Sequence, residues 1–222
     1  MLPFLAPLVP IVVNALSTLT AIAPKVIPWL VEGAKSLLTI VGKHLPTIID
    51  IIDIITDVLS IVDKDKANSY DLGVKVTETD KKPEDFDSIQ DYIKYLQNEV
   101  KYEKKVHNES EILTFKAIGG HLLIKGIEEK LKINTSPEFW LEVGRNKLTG
   151  QEIIGIISKY SEEGLKLDFS EYLNGKLSPK EEQKRGEFLV NIFSSLNPEN
   201  SKEDIENRLM DMEKNTQSKK EF

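Results

Sequence analysis

No charged side chain occurs between Leu2 and Pro24, and the apolar character set there persists to Val62. Two further apolar runs, Val26–Val41 and Leu45–Val62, carry only a few charges each. Such surface is driven out of water, so the chain must cover it with itself, a partner or lipid. The averages of 40% hydrophobic and 29% charged residues conceal this asymmetry, because most of the charge lies from Asp63 onward. A length of 222 residues accommodates one ordinary domain, or a small domain with a separate segment.

Prolines divide the front. Pro3, Pro7 and Pro10 precede or open a first helix, Pro28 opens a second and Pro46 a third, because proline fits the first helical turn but breaks an interior one. Each helix is apolar around most of its circumference, with one narrow polar stripe. In the first, Asn14, Ser17 and Thr18 form it, with the small Ala21 one turn further on. In the second it is Glu32, Lys35, Thr39 and Lys43, and in the third Asp50, Asp53, Asp57 and Ser60. Ala21-Ile22-Ala23 has the form of a signal-peptide cleavage site. The run lacks a preceding Lys or Arg, however, and Pro24 follows the scissile position, both departures from that pattern.

Insertion free energies separate the three helices. The first has no charge to bury and comes close to the roughly 20 apolar residues that a span requires. In the third, three aspartates cost about 8–10 kcal/mol at the bilayer centre, and the aliphatic residues of Leu45–Val62 return only about 3–7 kcal/mol. The third helix therefore does not insert alone. In a membrane its acids must face water or pair, with Lys35 and Lys43 the nearest cations in sequence, and a lumen lined by carboxylates favours cations.

The remainder reads as helical and polar. Residues 63–86 have the composition of a linker, with a short Leu72–Val76 alternation. Asp87 or Ser88 caps a helix bearing Ile89, Ile93, Leu96 and Val100. A longer helix over 109–131 is interrupted by Gly119-Gly120. Ser136-Pro137, the Thr149/Glu152 capping box, Ser178-Pro179 with Glu181, and Ser201 mark four further helix starts. The expected architecture is all-α: an apolar three-helix segment (1–62), a linker (63–86), a five- to six-helix polar domain (87–214) and a solvated tail (215–222).

The residues point to no catalysis and no cofactor. Cysteine is absent, which excludes disulfides, thiolate metal sites and a cysteine nucleophile. His44, His107 and His121 lack metal-ligand spacing and read as surface or helix-end residues. Gly119-Gly120-His121 lacks the strand and Lys-Ser/Thr of a phosphate loop. Asp168, Glu171, Asn174 and Gly175 lack calcium-loop spacing. A net charge of −7 argues against a nucleic-acid partner.

The pattern implies a membrane-active helical protein, such as a bacterial pore-forming toxin or delivered effector, whose apolar helices insert into a target-cell membrane. The candidate lumen residues are Asp50, Asp53, Asp57, Glu32, Lys35 and Lys43. The alternative is a structural or plug component of a phage particle or contractile injection machine, with the front packed against partner subunits as in an obligate interface. Expected partners are a lipid bilayer or a covering protein (carrier, chaperone, immunity protein or hub subunit), and further copies of the chain.

Overall fold

A computed structural model describes residues 8–103 and 105–218. Every regular element among them is helical, without a strand. The chain divides into two compact units, Met1–Lys130 and Leu131–Phe222.

The first unit contains α1 (Leu8–Ile22), α2 (Pro28–Ser36), α3 (Leu45–Val58), α4 (Ser69–Thr77), α5 (Ile89–Asn98) and α6 (Glu109–Leu131). The apolar front does not stand apart as a three-helix segment. Its buried residues, among them Leu19, Leu30, Leu37, Leu38, Leu45, Ile48, Ile49, Ile52 and Ile55, are core of the same unit as those of α4–α6. The physical reason lies in α6. Leu113, Phe115, Ile118, Leu122, Leu123, Ile124 and Ile127 are all buried, so α6 offers apolar surface on most sides and other helices surround it. The first apolar run before Leu8 lies outside the described residues. Among the described residues no helix is long and apolar enough to cross a membrane. The 15 residues of α1 extend about 22 Å at 1.5 Å per residue.

Gly119 and Gly120 do not interrupt α6, which runs continuously through them. They are where other elements press in. A Cβ on Gly119 would lie 1.8 Å from the Ser69 carbonyl oxygen, and one on Gly73 would lie 1.9 Å from that of Phe115. The two backbones touch at this crossing of α4 and α6. Residues 63–86 are accordingly not bare linker. They contain α4, with Leu72, Val74 and Val76 buried, capped by a reciprocal Asn68/Asp71 box. The second helix also departs from expectation, passing into a π-helical turn at Leu37–Val41 and then Gly42 with φ of 51°. That shift in helical period takes Lys43 out of register with Glu32.

The second unit contains α7 (Pro137–Arg145), α8 (Gly150–Glu162), α9 (Phe169–Leu173), α10 (Pro179–Leu196) and α11 (Lys202–Gln217). Ser136, Thr149, Ser178 and Ser201 cap α7, α8, α10 and α11 as their spacing predicts. The tail expected from residue 215 begins inside α11, where Thr216 is fully buried; residues 219–222 lie outside the described residues. Phe139, Trp140, Ile156, Ile157, Tyr160, Phe169, Leu189 and Phe193 form the core. All three arginines of the chain lie here, and each meets a carboxylate. Arg145 donates to Glu142 at 2.8 Å, Arg185 to Asp168 at 2.8 Å, and Arg208 to Glu152. Thr216 adds a 2.6 Å bond to Glu142. Burial works to raise the Glu152 carboxyl, yet the Arg208 and Thr149 hydrogen bonds hold it below the usual carboxylate range.

Candidate functional site

The first unit carries an open cleft of about 890 Å³. Two helix faces form its walls. Trp29, Glu32, Gly33 and Ser36 line it from α2, spaced i, i+3, i+4 and i+7 and therefore on one side. His121, Lys125 and Glu129 line it from α6, each four residues from the last. The third side is the segment Pro83–Ile89 leading into α5, with Glu84, Phe86 and Asp87.

The walls meet where His121 seats against Gly33. A Cβ at position 33 would come within 2.0 Å of the imidazole, so only glycine admits the ring. Trp29 tilts over that ring at 5.9 Å, and its indole Nε1 donates to Glu84 at 3.4 Å. Burial, reinforced by the nearby Lys125 charge, lowers the His121 pKa to about 4, so the imidazole is neutral near pH 7. Phe86 packs against Tyr92 at 5.3 Å and Tyr95 at 5.1 Å, which braces the third side. Glu129 accepts from the amides of Ile89 and Gln90 at 3.1 and 3.2 Å, placing a carboxylate at the α5 N-terminus, where the helix dipole favours it. Lys125 pairs with Glu128 at 2.6 Å.

Four carboxylates (Glu32, Glu84, Asp87 and Glu129) thus face one lysine across a cleft with an aromatic wall. The arrangement suits recognition of a group that is both cationic and able to stack.

The residues singled out as a lumen do not share one environment. Asp50, Asp53 and Asp57 do occupy one side of α3, but Asp50 is exposed. Asp53 accepts the Ser69 amide at 2.9 Å and the Ser69 hydroxyl at 3.0 Å, tying α3 to the start of α4. Burial raises its pKa despite those bonds. Asp57 pairs with Lys64 at 3.2 Å, and not with Lys35 or Lys43, which are both exposed. Of the six, only Glu32 borders the cleft.

Sequence reasoning missed Trp29 and His121. Placing His121 at the surface or a helix end is corrected: it sits mid-helix, wedged against α2. The one sequence signal was Gly33, a helix-interior glycine next to an aromatic face, and it names no partner. His107 accepts or donates a 2.6 Å bond with the Tyr70 hydroxyl and rests on Phe115 at 4.9 Å, a packing role. Among the described residues no three His, Asp or Glu side chains converge to hold a metal. The chain matches no protein-family model, and no curated protein or solved structure shows significant similarity to it.

Proposed function

We propose that the chain works by recognition, receiving a segment of a partner protein in the cleft between α2 and α6. The observation that carries this reading is the convergence of Trp29, Phe86 and four carboxylates on one open cavity of about 890 Å³, from three separated parts of the sequence. That volume falls within the roughly 300–1,000 Å³ of ligand sites, and half-exposed Trp beside a buried wall is the usual anchor of an interface. On this reading the apolar front supplies core and one wall of a receptor. A library of short random peptides, selected on the full chain and counter-selected on Trp29→Ala, tests it. Enriched peptides should bind the wild type about tenfold or more tightly than the variant. Peptides that bind both equally, or no enrichment, would overturn the reading.

A second reading is membrane activity of the front, as a delivered toxin or effector. It is favoured by the absence of charge in α1 and by the exposure of Val13, Ile54 and Val58 at 54%, 57% and 64%. It requires α2 and α3 to leave the core. Uncovering each buried Leu or Ile costs about 1.5–3 kcal/mol, which lipid would have to return. Dye release from phosphatidylcholine vesicles by the full chain supports it, and intact vesicles remove it.

A further inference from the structure

Resting on the recognition reading, we infer that the group seated in the cleft is a cation, the side chain of a lysine or arginine in the partner's segment.

The charge of the lining is the first argument. Glu32, Glu84, Asp87 and Glu129 contribute four negative charges against Lys125 alone. Lys125 is already committed, because its ammonium lies 2.6 Å from Glu128, a carboxylate only 6% exposed. Glu84 and Glu129 are occupied by the Trp29 indole and the α5 amides. Glu32 and Asp87 are exposed and have no ion-pair or hydrogen-bond partner among the described residues. A cation arriving between the helix wall and the 83–89 segment therefore finds two open carboxylates, with which no cation among the described residues is paired.

The second argument is the ring. The indole is fixed at its edge by the bond to Glu84 and on one side by His121. A ring held in this way offers a preorganised π surface, and an ammonium or guanidinium gains most over Trp among the aromatic residues. Neutral imidazole behind it does not oppose the incoming charge. An acidic segment would meet the opposite field, and a purely apolar one would leave the carboxylates desolvated without a partner.

Trp29 is also the reporter. Acetylated and amidated tetralysine, tetraglutamate and a Gly-Ser tetrapeptide are titrated against the full chain while indole emission is followed. The Trp29→Phe variant, in which Trp140 alone emits, serves as the blank. Tetralysine should shift emission saturably, about tenfold more tightly than Gly-Ser, and added salt should weaken it. The double variant Glu32→Gln, Asp87→Asn changes two exposed positions and keeps the native circular dichroism. It should lose about tenfold for tetralysine. Equal binding of the three peptides, or equal binding of tetralysine to wild type and double variant, overturns the cation. It leaves the cleft reading intact if library peptides still depend on Trp29. If no peptide of any charge depends on Trp29, both fail.

Discussion

Gly119 in the first unit and Glu142 in the second are both fully buried on helices, yet they hold their surroundings by opposite means. At Gly119 two backbones approach until no side chain fits between them. At Glu142 a charge is taken out of water and met by Arg145, Asn146 and Thr216. The first unit shows the same device from the other side at Gly73, against the Phe115 backbone, while Gly33 makes room for a side chain, the His121 ring. The second repeats its own at Glu152 and Asp168. The contrast shows two solutions to one problem, the choice among many compact arrangements of amphipathic helices. Close backbone approach selects by shape. A buried carboxylate selects by valence, since it tolerates only the arrangement that satisfies its oxygens.

The largest expected effect breaks the first device. Gly119→Leu would drive a side chain into the Ser69 carbonyl and should cost about 4–5 kcal/mol or prevent folding of the unit, read by a red shift of Trp29 emission. Glu142→Ala strands Arg145 and Thr216 and should cost about 3 kcal/mol, read at Trp140. If Gly119→Leu leaves Trp29 emission and the melting temperature unchanged, the backbone contact is not what orders the unit.

The next effect is pH dependence of the first unit. His121 has a folded pKa of about 4 against 6.5 in the unfolded chain. Its contribution is therefore complete above pH 6.5 and is lost as pH falls toward 4, by roughly 2–3 kcal/mol. Asp53 acts with the opposite sign, since its raised pKa favours the folded state as it gains a proton. That gain comes at lower pH, where an acid titrates. Urea midpoints at Trp29 should fall between pH 6.5 and 5 in the wild type and stay level in His121→Gln. A level wild-type profile would mean that the imidazole is solvated.

The smallest effects sharpen the picture of α3. Asp53→Ala leaves the buried Ser69 amide unsatisfied and should cost about 1–3 kcal/mol. Asp53→Asn retains an acceptor and sheds a partly buried charge, so it should stay within about 0.5 kcal/mol of wild type. Asp50→Asn, at an exposed site, should do the same. Equal losses for Asp53→Ala and Asp50→Asn would mean that the Ser69 contact does not set Asp53 apart from the rest of the stripe.

What the sequence determined by itself is local. Ser88, Ser136, Thr149, Ser178 and Ser201 announce helix starts because a cap and the amide it serves are three residues apart, a distance that sequence spacing specifies. Helical class, the placement of prolines in first turns and the apolar faces follow from the same short-range periodicity. The tertiary structure decided which faces meet. Thr114 reaches the Ala15 carbonyl across 99 residues, Trp29 reaches Glu84 across 55, and Arg208 reaches Glu152 across 56. Pattern alone leaves such pairings open, because an apolar stripe is indifferent to whether it meets lipid, a partner or α6. The front therefore reads as a segment set apart until α6 supplies a surface apolar on most sides. The cleft is invisible until Gly33 and His121 are brought together, since a glycine declares space and does not name what fills it.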